Sequence, residues 1–290
     1  MTEWLAGTGA GAYRGRLGGT WGPVGGYGYR VTSLLQHRGH TFCGAGCGVW
    51  MVDLDGGRWE QLHDETLTEV LDLAPLPGDP GLLAASAYGV ATPARDALGA
   101  ARWTFWSDGL GVNERYSNAA LVADDGRWLV GTEAGVLVAE EGGRRWSRTS
   151  LTGRAVRALC RALGSWWAGS DAGGIWRSAD GLRWDPAGQG AEQATVFALS
   201  AAGDRLLAGT LEGVLAGDGA GPWQRSGPRL LAAAVVSDPL DPRVWLAGGV
   251  PGGVWYTLDA GARWQQVAGL PSVAEALTAL APRGQSPGVA

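Results

Sequence analysis

The 290-residue sequence predicts an all-β fold, a seven-bladed β-propeller with four-stranded antiparallel blades, and three observations carry that prediction. The string Trp4-Leu5-Ala6-Gly7 recurs in altered form, with relatives beginning at Thr41, Leu82, Trp128, Trp166, Leu206 and Trp245. A second tryptophan closes each unit: Trp21, Trp59, Trp103, Trp146, Trp184, Trp223 and Trp264, at intervals of 38, 44, 43, 38, 39 and 41 residues, with 47 for the wrap through the termini. Each unit also holds short segments rich in Val, Leu and Trp, punctuated by Gly or Asp-Gly turns, as antiparallel strands require.

Within a unit the elements follow in order. A first strand such as Val31 to Leu35, Val70 to Leu73, Val156 to Leu159 or Val196 to Leu199 precedes the Trp-Leu-Ala-Gly strand. A Gly then opens the third strand (Gly11, Gly48, Gly89, Gly135, Gly174, Gly213 and Gly253), and the closing Trp marks the fourth. The chain begins at a second strand and finishes on a first-strand pattern, Leu277-Thr278-Ala279-Leu280, so one blade combines both ends. Val273 to Leu280 has the composition of a helix, yet the repeat register makes it the strand that pairs beside Trp4 and closes the ring. The expected organisation is one domain over 1–290, with blades near 273–290 plus 1–27, 28–64, 65–110, 111–153, 154–190, 191–227 and 228–272.

Composition narrows the functional classes. Fifty glycines without a Gly-X-Y period or a polar tract exclude collagen and disorder. All 23 basic residues are Arg, scattered among 28 acids, so no nucleic-acid footprint exists and no nucleic-acid partner is expected. The longest apolar run, Leu230 to Val236, is too short to span a bilayer. Three Cys argue against a disulfide framework. The start, Met1 to Gly7, lacks the pattern of a signal peptide, so a cytoplasmic protein is expected unless a leader has been removed.

Two of the closing turns read Ser178-Ala179-Asp180-Gly181-Leu182-Arg183-Trp184 and Thr257-Leu258-Asp259-Ala260-Gly261-Ala262-Arg263-Trp264. Degenerate forms precede Trp59 (Asp55-Gly56-Gly57), Trp146 (Glu141-Gly142-Gly143) and Trp223 (Asp218-Gly219). An Asp here can accept backbone N–H bonds, Gly supplies a positive φ, and Trp wedges between blades. The pattern Ser/Thr-x-Asp-x-Gly-x-x-Trp resembles the Asp-box (BNR-repeat) β-propellers over nearly the whole length. That resemblance implies a structural role for Asp180, Trp184, Asp259, Gly261 and Trp264 on outer hairpins away from the binding face. Of the family's members, the photosystem II assembly-factor group is nearest in architecture, with seven blades and a single domain.

The candidate chemistry is thin. His37, His40, Cys43 and Cys47 have metal-like spacing, but the repeat puts Cys43 in a column of small core residues and Cys47 at the far end of its strand, so no metal site is expected. Cys160 lies in an inner strand and reads as core. Tyr29-Arg30-Val31-Thr32-Ser33-Leu34 faintly resembles the sialidase entry motif, with Thr32 in place of its Pro, and Glu114-Arg115-Tyr116 imitates part of that family's remaining set. A glycosidase needs two carboxylates roughly 5 to 10 Å apart. The connectors hold many acids (Asp64, Glu65, Glu69, Asp108, Glu114 and Glu192), and sequence selects no pair. Asp72 and Arg157 interrupt inner strands and are expected either to face the central channel or to be paired.

The longest connector, Thr104 to Ser117, holds Phe105, Trp106, Arg115 and Tyr116, the composition of an interaction hot spot, although Phe105 or Trp106 could instead pack beneath the loop. Tyr27, Tyr29 and Arg30 occupy an equivalent connector. The expected function is a non-catalytic binding or assembly scaffold that presents this loop face to a protein partner through Trp106, Glu114, Arg115, Tyr116, Tyr29 and Arg30, with no cofactor. A carbohydrate-active enzyme, a glycosidase or lyase with carboxylates on the same face, is the alternative, with a glycan or small ligand at the channel mouth.

Overall fold

A computed structural model describes residues 2–78, 81–95 and 101–280 of the chain. Seven four-stranded antiparallel sheets account for the strands, each running from an inner to an outer strand. The inner strands are Ala274–Leu280, Val31–His37, Val70–Pro75, Ser117–Val122, Val156–Ala162, Val196–Ala202 and Ala232–Ser237, which begin blades 1 to 7. Blade 1 closes the ring: Ala274–Leu280 pairs with Glu3–Thr8, Leu5 opposite Thr278 and Ala6 opposite Leu277. The segment with helix-forming composition is therefore a strand, because only there does it satisfy the backbone edge that Glu3–Thr8 would otherwise expose.

The recurring Gly of the second strand sets how close the blades stand. A Cβ on Gly209 would come within 2.4 Å of the carbonyl oxygen of Ala232, and one on Gly248 within 2.5 Å of that of Ala274. On Gly7, Gly44 and Gly169 it would meet the side chains of Val31, Val70 and Val196 at 2.7, 2.7 and 2.4 Å, and on Gly131 the carbonyl of Val156 at 2.8 Å. In every case the neighbour is the first residue of the next inner strand. Blade 3 alone departs, with the buried Ala85 in this column and the small, buried Ser117 starting the next inner strand.

The residue after that Gly holds the turn between second and third strands. The hydroxyls of Thr8, Ser86, Thr132, Ser170 and Thr210, all buried, donate to the carbonyls of Gly11, Gly89, Gly135, Gly174 and Gly213 at 2.7 to 3.2 Å. In four of these turns the same oxygen accepts an N–H two residues on, from Ala10, Tyr88, Ala134 and Glu212. The tip is thus fixed by a buried hydroxyl that both donates and accepts.

Five of the closing tryptophans join their blade to the one before it by a hydrogen bond. Trp59, Trp103 and Trp223 donate Nε1–H to the carbonyls of Val24, Leu62 and Ala187 at 2.8 to 2.9 Å, and Trp264 donates to Ser226 Oγ at 3.1 Å. Every one of these acceptors lies in, or just after, the outer strand of the preceding blade. Trp184 makes the junction by its backbone, donating N–H to Ser150 Oγ at 2.8 Å. Trp103, Trp184 and Trp223 are buried, which adds the large apolar contribution of an indole to the hydrogen bond.

The two hairpins with the fullest motif have the expected local bonds. Asp180 Oδ1 accepts the N–H groups of Leu182 and Arg183 at 2.7 and 2.8 Å and the hydroxyl of Ser178 at 3.1 Å. Asp259 Oδ1 accepts the N–H of Arg263 at 2.9 Å and the hydroxyl of Thr257 at 2.8 Å. Gly181 and Gly261 take positive φ, 79° and 89°. Asp218 works alike, accepting from Ala220 and Gly221. In blade 2 the sequence assignment needs correcting: Asp53, not Asp55, accepts the turn N–H groups, at 3.0 Å each, while Asp55 pairs with Arg14. Backbone N–H bonds hold Asp180, Asp259, Asp218 and Asp53 below the usual carboxylate range.

Two measurements check this account of the blade junctions. Gly209→Ala should lose about 1 to 3 kcal/mol in denaturant unfolding through overpacking, whereas Gly22→Ala, with open space around its Cβ position, should stay within about 0.5 kcal/mol. Trp223→Ala should cost about 3 to 5 kcal/mol, and Trp223→Phe, which keeps an aromatic ring but gives up the bond to Ala187, should cost clearly less.

Candidate functional site

Because strands alternate in direction, the connectors between blades and the turns between second and third strands share one end of the molecule. We call this end the connector face; the first-to-second and third-to-fourth strand turns form the opposite, hairpin face. Large exposed hydrophobic side chains occur on both faces, but the tyrosines on one only. Tyr29, Tyr88, Tyr116, Val112 and Leu211 lie on the connector face, and Leu163, Leu182, Leu240 and Leu258 on the hairpin face. All three strongly exposed tyrosines among the described residues, at 51, 55 and 38% exposure, thus stand on one face, over blades 2, 3 and 4.

Tyr29 is held through its ring, and Tyr88 and Tyr116 through their backbone. The Tyr29 ring lies 4.6 Å from Tyr27 and nearly parallel to Trp50 at 6.4 Å; Tyr27 in turn stacks on Trp59 at 5.2 Å and 12°. Trp50 meets His63 edge-on at 5.2 Å, and His63 Nδ1 lies 2.9 Å from the carbonyl oxygen of Val49. Tyr88 rides the tip held by Ser86. Tyr116 ends a single helical turn, Val112–Arg115, and its carbonyl accepts the N–H of Glu133 at 3.2 Å.

That helical turn depends on Glu114. Its carboxylate accepts the N–H of Gly111 at 2.9 Å and a two-pronged contact from Arg148 at 2.5 and 2.8 Å. The Arg148 guanidinium, then the Gly111 N–H, hold its carboxyl below the usual range. Glu114 is therefore part of the support, whereas Arg115, whose Nε donates to Leu110 at 3.0 Å, is exposed. Arg30 is exposed as well, with its guanidinium held two-pronged by Glu275 at 2.5 Å. Trp106 takes the packed position: its ring meets Trp128 edge-on at 6.4 Å, Nε1 donates to Thr92 Oγ1 at 3.0 Å, and it sits against a buried core cluster. The connector face thus presents Tyr29, Arg30, Arg115 and Tyr116, with Glu114 and Trp106 beneath.

At the channel mouth Arg157 grips Asp171 with two bonds of 2.6 Å and lies 3.6 Å from Glu133, which accepts from Asn118 at 3.0 Å. Asp72 has the other fate expected of an inner-strand polar residue. Its carboxyl accepts the Ser33 hydroxyl of blade 2 at 3.2 Å, its neighbour's N–H from Leu73 at 2.8 Å, and the Ala120 N–H of blade 4 at 3.0 Å. Burial outweighs these donors and pushes it up to about 6.

Other potential chemistry is similarly occupied. His37 pairs opposite His40 across their turn, while Cys43 is fully buried, with its thiol pushed up by desolvation. Cys47, in the turn beyond, accepts the Trp50 Nε1–H at 3.4 Å. Burial pushes the Cys160 thiol up to about 11. Among the described residues no group of three His, Cys, Asp or Glu is placed to hold a metal. Two open grooves, of about 840 and 490 Å³, lie between the outer parts of blades 1 and 2 and of blades 5 and 6. The larger is lined by six glycines among other residues and by Arg14, already held by Glu3 and Asp55.

Sequence reasoning missed Tyr88, Val112 and the acids that engage arginines, Glu275, Asp171 and Glu133. Tyr88 had a visible signal: the residue before the turn Gly is Ala10, Cys47, Ala134, Gly173, Glu212 or Gly252 in the other blades, so an aromatic there stands out.

No protein-family model matches the sequence, and no curated protein matches it. Among solved structures, the extracellular domain of a protein described as a hybrid two-component system, BT4673 of B. thetaiotaomicron, is similar with a TM-score of 0.69 at 17% identity, over 87% of this chain and 36% of that one. The GH74 xyloglucanase of Xanthomonas campestris is similar with a TM-score of 0.63 at 18% identity, over 93% and 47%. A computationally designed protein, Ika8, matches with a TM-score of 0.58 at 15% identity, over 87% and 79%. The chain spans about a third to a half of the two natural chains, and at these identities the likeness is one of fold.

Asp72 sets a pH test. A carboxyl raised to about 6 binds its proton more tightly in the folded than in the unfolded chain, so its stabilising contribution is full below about pH 4 and fades as pH rises through about 6. Asp72→Asn should flatten the fall in melting temperature across that window, measured by circular dichroism. The hairpin aspartates act oppositely, losing their contribution as pH drops below about 4.

Proposed function

We propose that this chain is a non-catalytic binding or assembly scaffold whose connector face receives a protein partner. The observation that carries this reading is the confinement of the exposed tyrosines, Tyr29, Tyr88 and Tyr116, to that face. Tyrosine gives large, stiff contact area with a polar tip at low entropic cost, which suits it to recognition. Tyr27 and Trp50 beneath the Tyr29 ring, and the backbone hydrogen bonds that hold Tyr88 and Tyr116, lower the ordering cost of binding further. The potential catalytic groups favour the same reading: Asp72 is used between blades, and Arg30, Arg157 and Glu114 are engaged within the chain.

We also propose that the chain is an Asp-box propeller, on the strength of the Ser178/Asp180 and Thr257/Asp259 hairpin bonds, with an architecture like that of the photosystem II assembly-factor group. That likeness assigns no photosynthetic partner.

Affinity capture from a source lysate tests the scaffold. Wild type should retain a specific protein that a Tyr29→Ser/Val112→Ser/Tyr116→Ser variant with an unchanged melting temperature loses. Equal capture by both, or none by either, would contradict the reading and turn attention to a glycoside panel.

A further inference from the structure

Carboxylates on the connector face are compensated unevenly. Over blades 1 and 4 to 6 most meet arginines of the same chain: Glu275 meets Arg30, Glu114 meets Arg148, Asp171 and Glu133 meet Arg157, and Glu212 meets Arg225, while Glu192 between blades 5 and 6 is exposed and accepts the Gly190 N–H instead. Around blade 3 three acids lack such a partner. Glu65, Glu69 and Asp108 are exposed and form no ion pair among the described residues. Arg115, at the border of this sector, is the one exposed cation of the 106–116 connector.

Two of these acids stand at the same end of the blade 3 sheet as an exposed aromatic residue, Tyr88. Glu69 directly precedes Val70, which pairs with Ser86, so it stands at the same end of the sheet as the Tyr88 turn. On the other side, Trp106 N–H bonds to Val90 at 2.9 Å, and a Cβ on Gly89 would lie 3.3 Å from that of Ser107, which brings Asp108 alongside Tyr88. Tyr88 thus stands on a hydroxyl-held tip, at the sheet end where the two connectors carrying Glu69 and Asp108 also arrive.

We infer that this sector, Tyr88 with Glu69 and Asp108, docks a partner segment that presents Arg or Lys side chains. A guanidinium or ammonium laid over the tyrosine ring gains a cation–π contact while the carboxylates neutralise its charge. The chain already packs arginine against indole in this way: the guanidinium groups of Arg154, Arg161 and Arg177 lie 5.1, 4.6 and 5.4 Å from the ring centroids of Trp176, Trp166 and Trp167. Exposed Tyr29 and Val112 on either side offer apolar contact to the rest of such a segment. The inference rests on the proposed scaffold role and adds the partner's chemistry to it.

Fluorescence anisotropy with a labelled nine-residue Gly/Ser peptide carrying three Arg, beside the same peptide carrying three Glu, tests it on the full chain. The Arg peptide should bind saturably and the Glu peptide should not. Glu69→Gln/Asp108→Asn and, separately, Tyr88→Ser should each weaken binding about tenfold or more. Asp185→Asn/Asp204→Asn, which removes the same two charges from the hairpin face, should change it less than about twofold. Matched melting curves establish that every variant is folded, and Tyr88→Leu replaces Tyr88→Ser if the serine variant is not. No saturable binding of the Arg peptide, or equal weakening by the hairpin-face control, overturns the inference. If the peptide fails while lysate capture still depends on Tyr29, Val112 and Tyr116, the scaffold reading survives and only the cationic partner falls.

Discussion

The approach of one blade to the next, permitted by a missing side chain in the second strand, is the constraint on which the rest of the structure depends. Gly7, Gly44, Gly131, Gly169, Gly209 and Gly248 each face the first residue of the following inner strand at distances no Cβ could occupy. With the inner strands that close, the outer parts of the wedge-shaped blades diverge, and four of the closing tryptophans, Trp59, Trp103, Trp223 and Trp264, bond from that space to the outer strand behind them. Ala85 shows the rule by its exception, since the added methyl coincides with Ser117 in place of the Val or Ala that starts the other inner strands. Small residues inside and indoles outside are two parts of one packing solution.

This explains why so much of the fold was legible. The glycine and tryptophan columns are imposed seven times by the same geometry, so the repeat outweighed the helical composition of Val273 to Leu280, and the ring closes where the register required. Local detail was less accessible. Asp53 and Asp55 are both close enough in sequence to cap the blade 2 hairpin, and only the strand register selects Asp53. The Thr8, Ser86, Thr132, Ser170 and Thr210 hydroxyls were present in the repeat, but their role depends on a turn geometry that sequence does not show.

The candidate face was legible in part, for a related reason. Its connectors escape the repeat, so nothing in the spacing said whether Trp106 or Tyr116 would point outward; Trp106 is drawn onto Trp128 and Thr92, and Tyr116 is left exposed. Arg30, Glu114 and Arg157 were recognisable as unusual, yet their partners Glu275, Arg148 and Asp171 are distant in sequence or on other turns. What results is a face of aromatic projections on a rim largely neutralised within the chain, with Glu65, Glu69 and Asp108 unpaired over blade 3. On the hairpin face, by contrast, Asp53, Asp180, Asp218 and Asp259 cap their own turns.

Amide hydrogen exchange, recorded on the protein alone and in complex with the protein it captures, tests the central claim most directly. The account predicts new protection in the Tyr29 connector, the Ser86–Gly89 turn and the Gly111–Tyr116 segment, with the Asp180 and Asp259 hairpins unchanged. Protection concentrated in those hairpins, or in the groove beside Arg14, would contradict it.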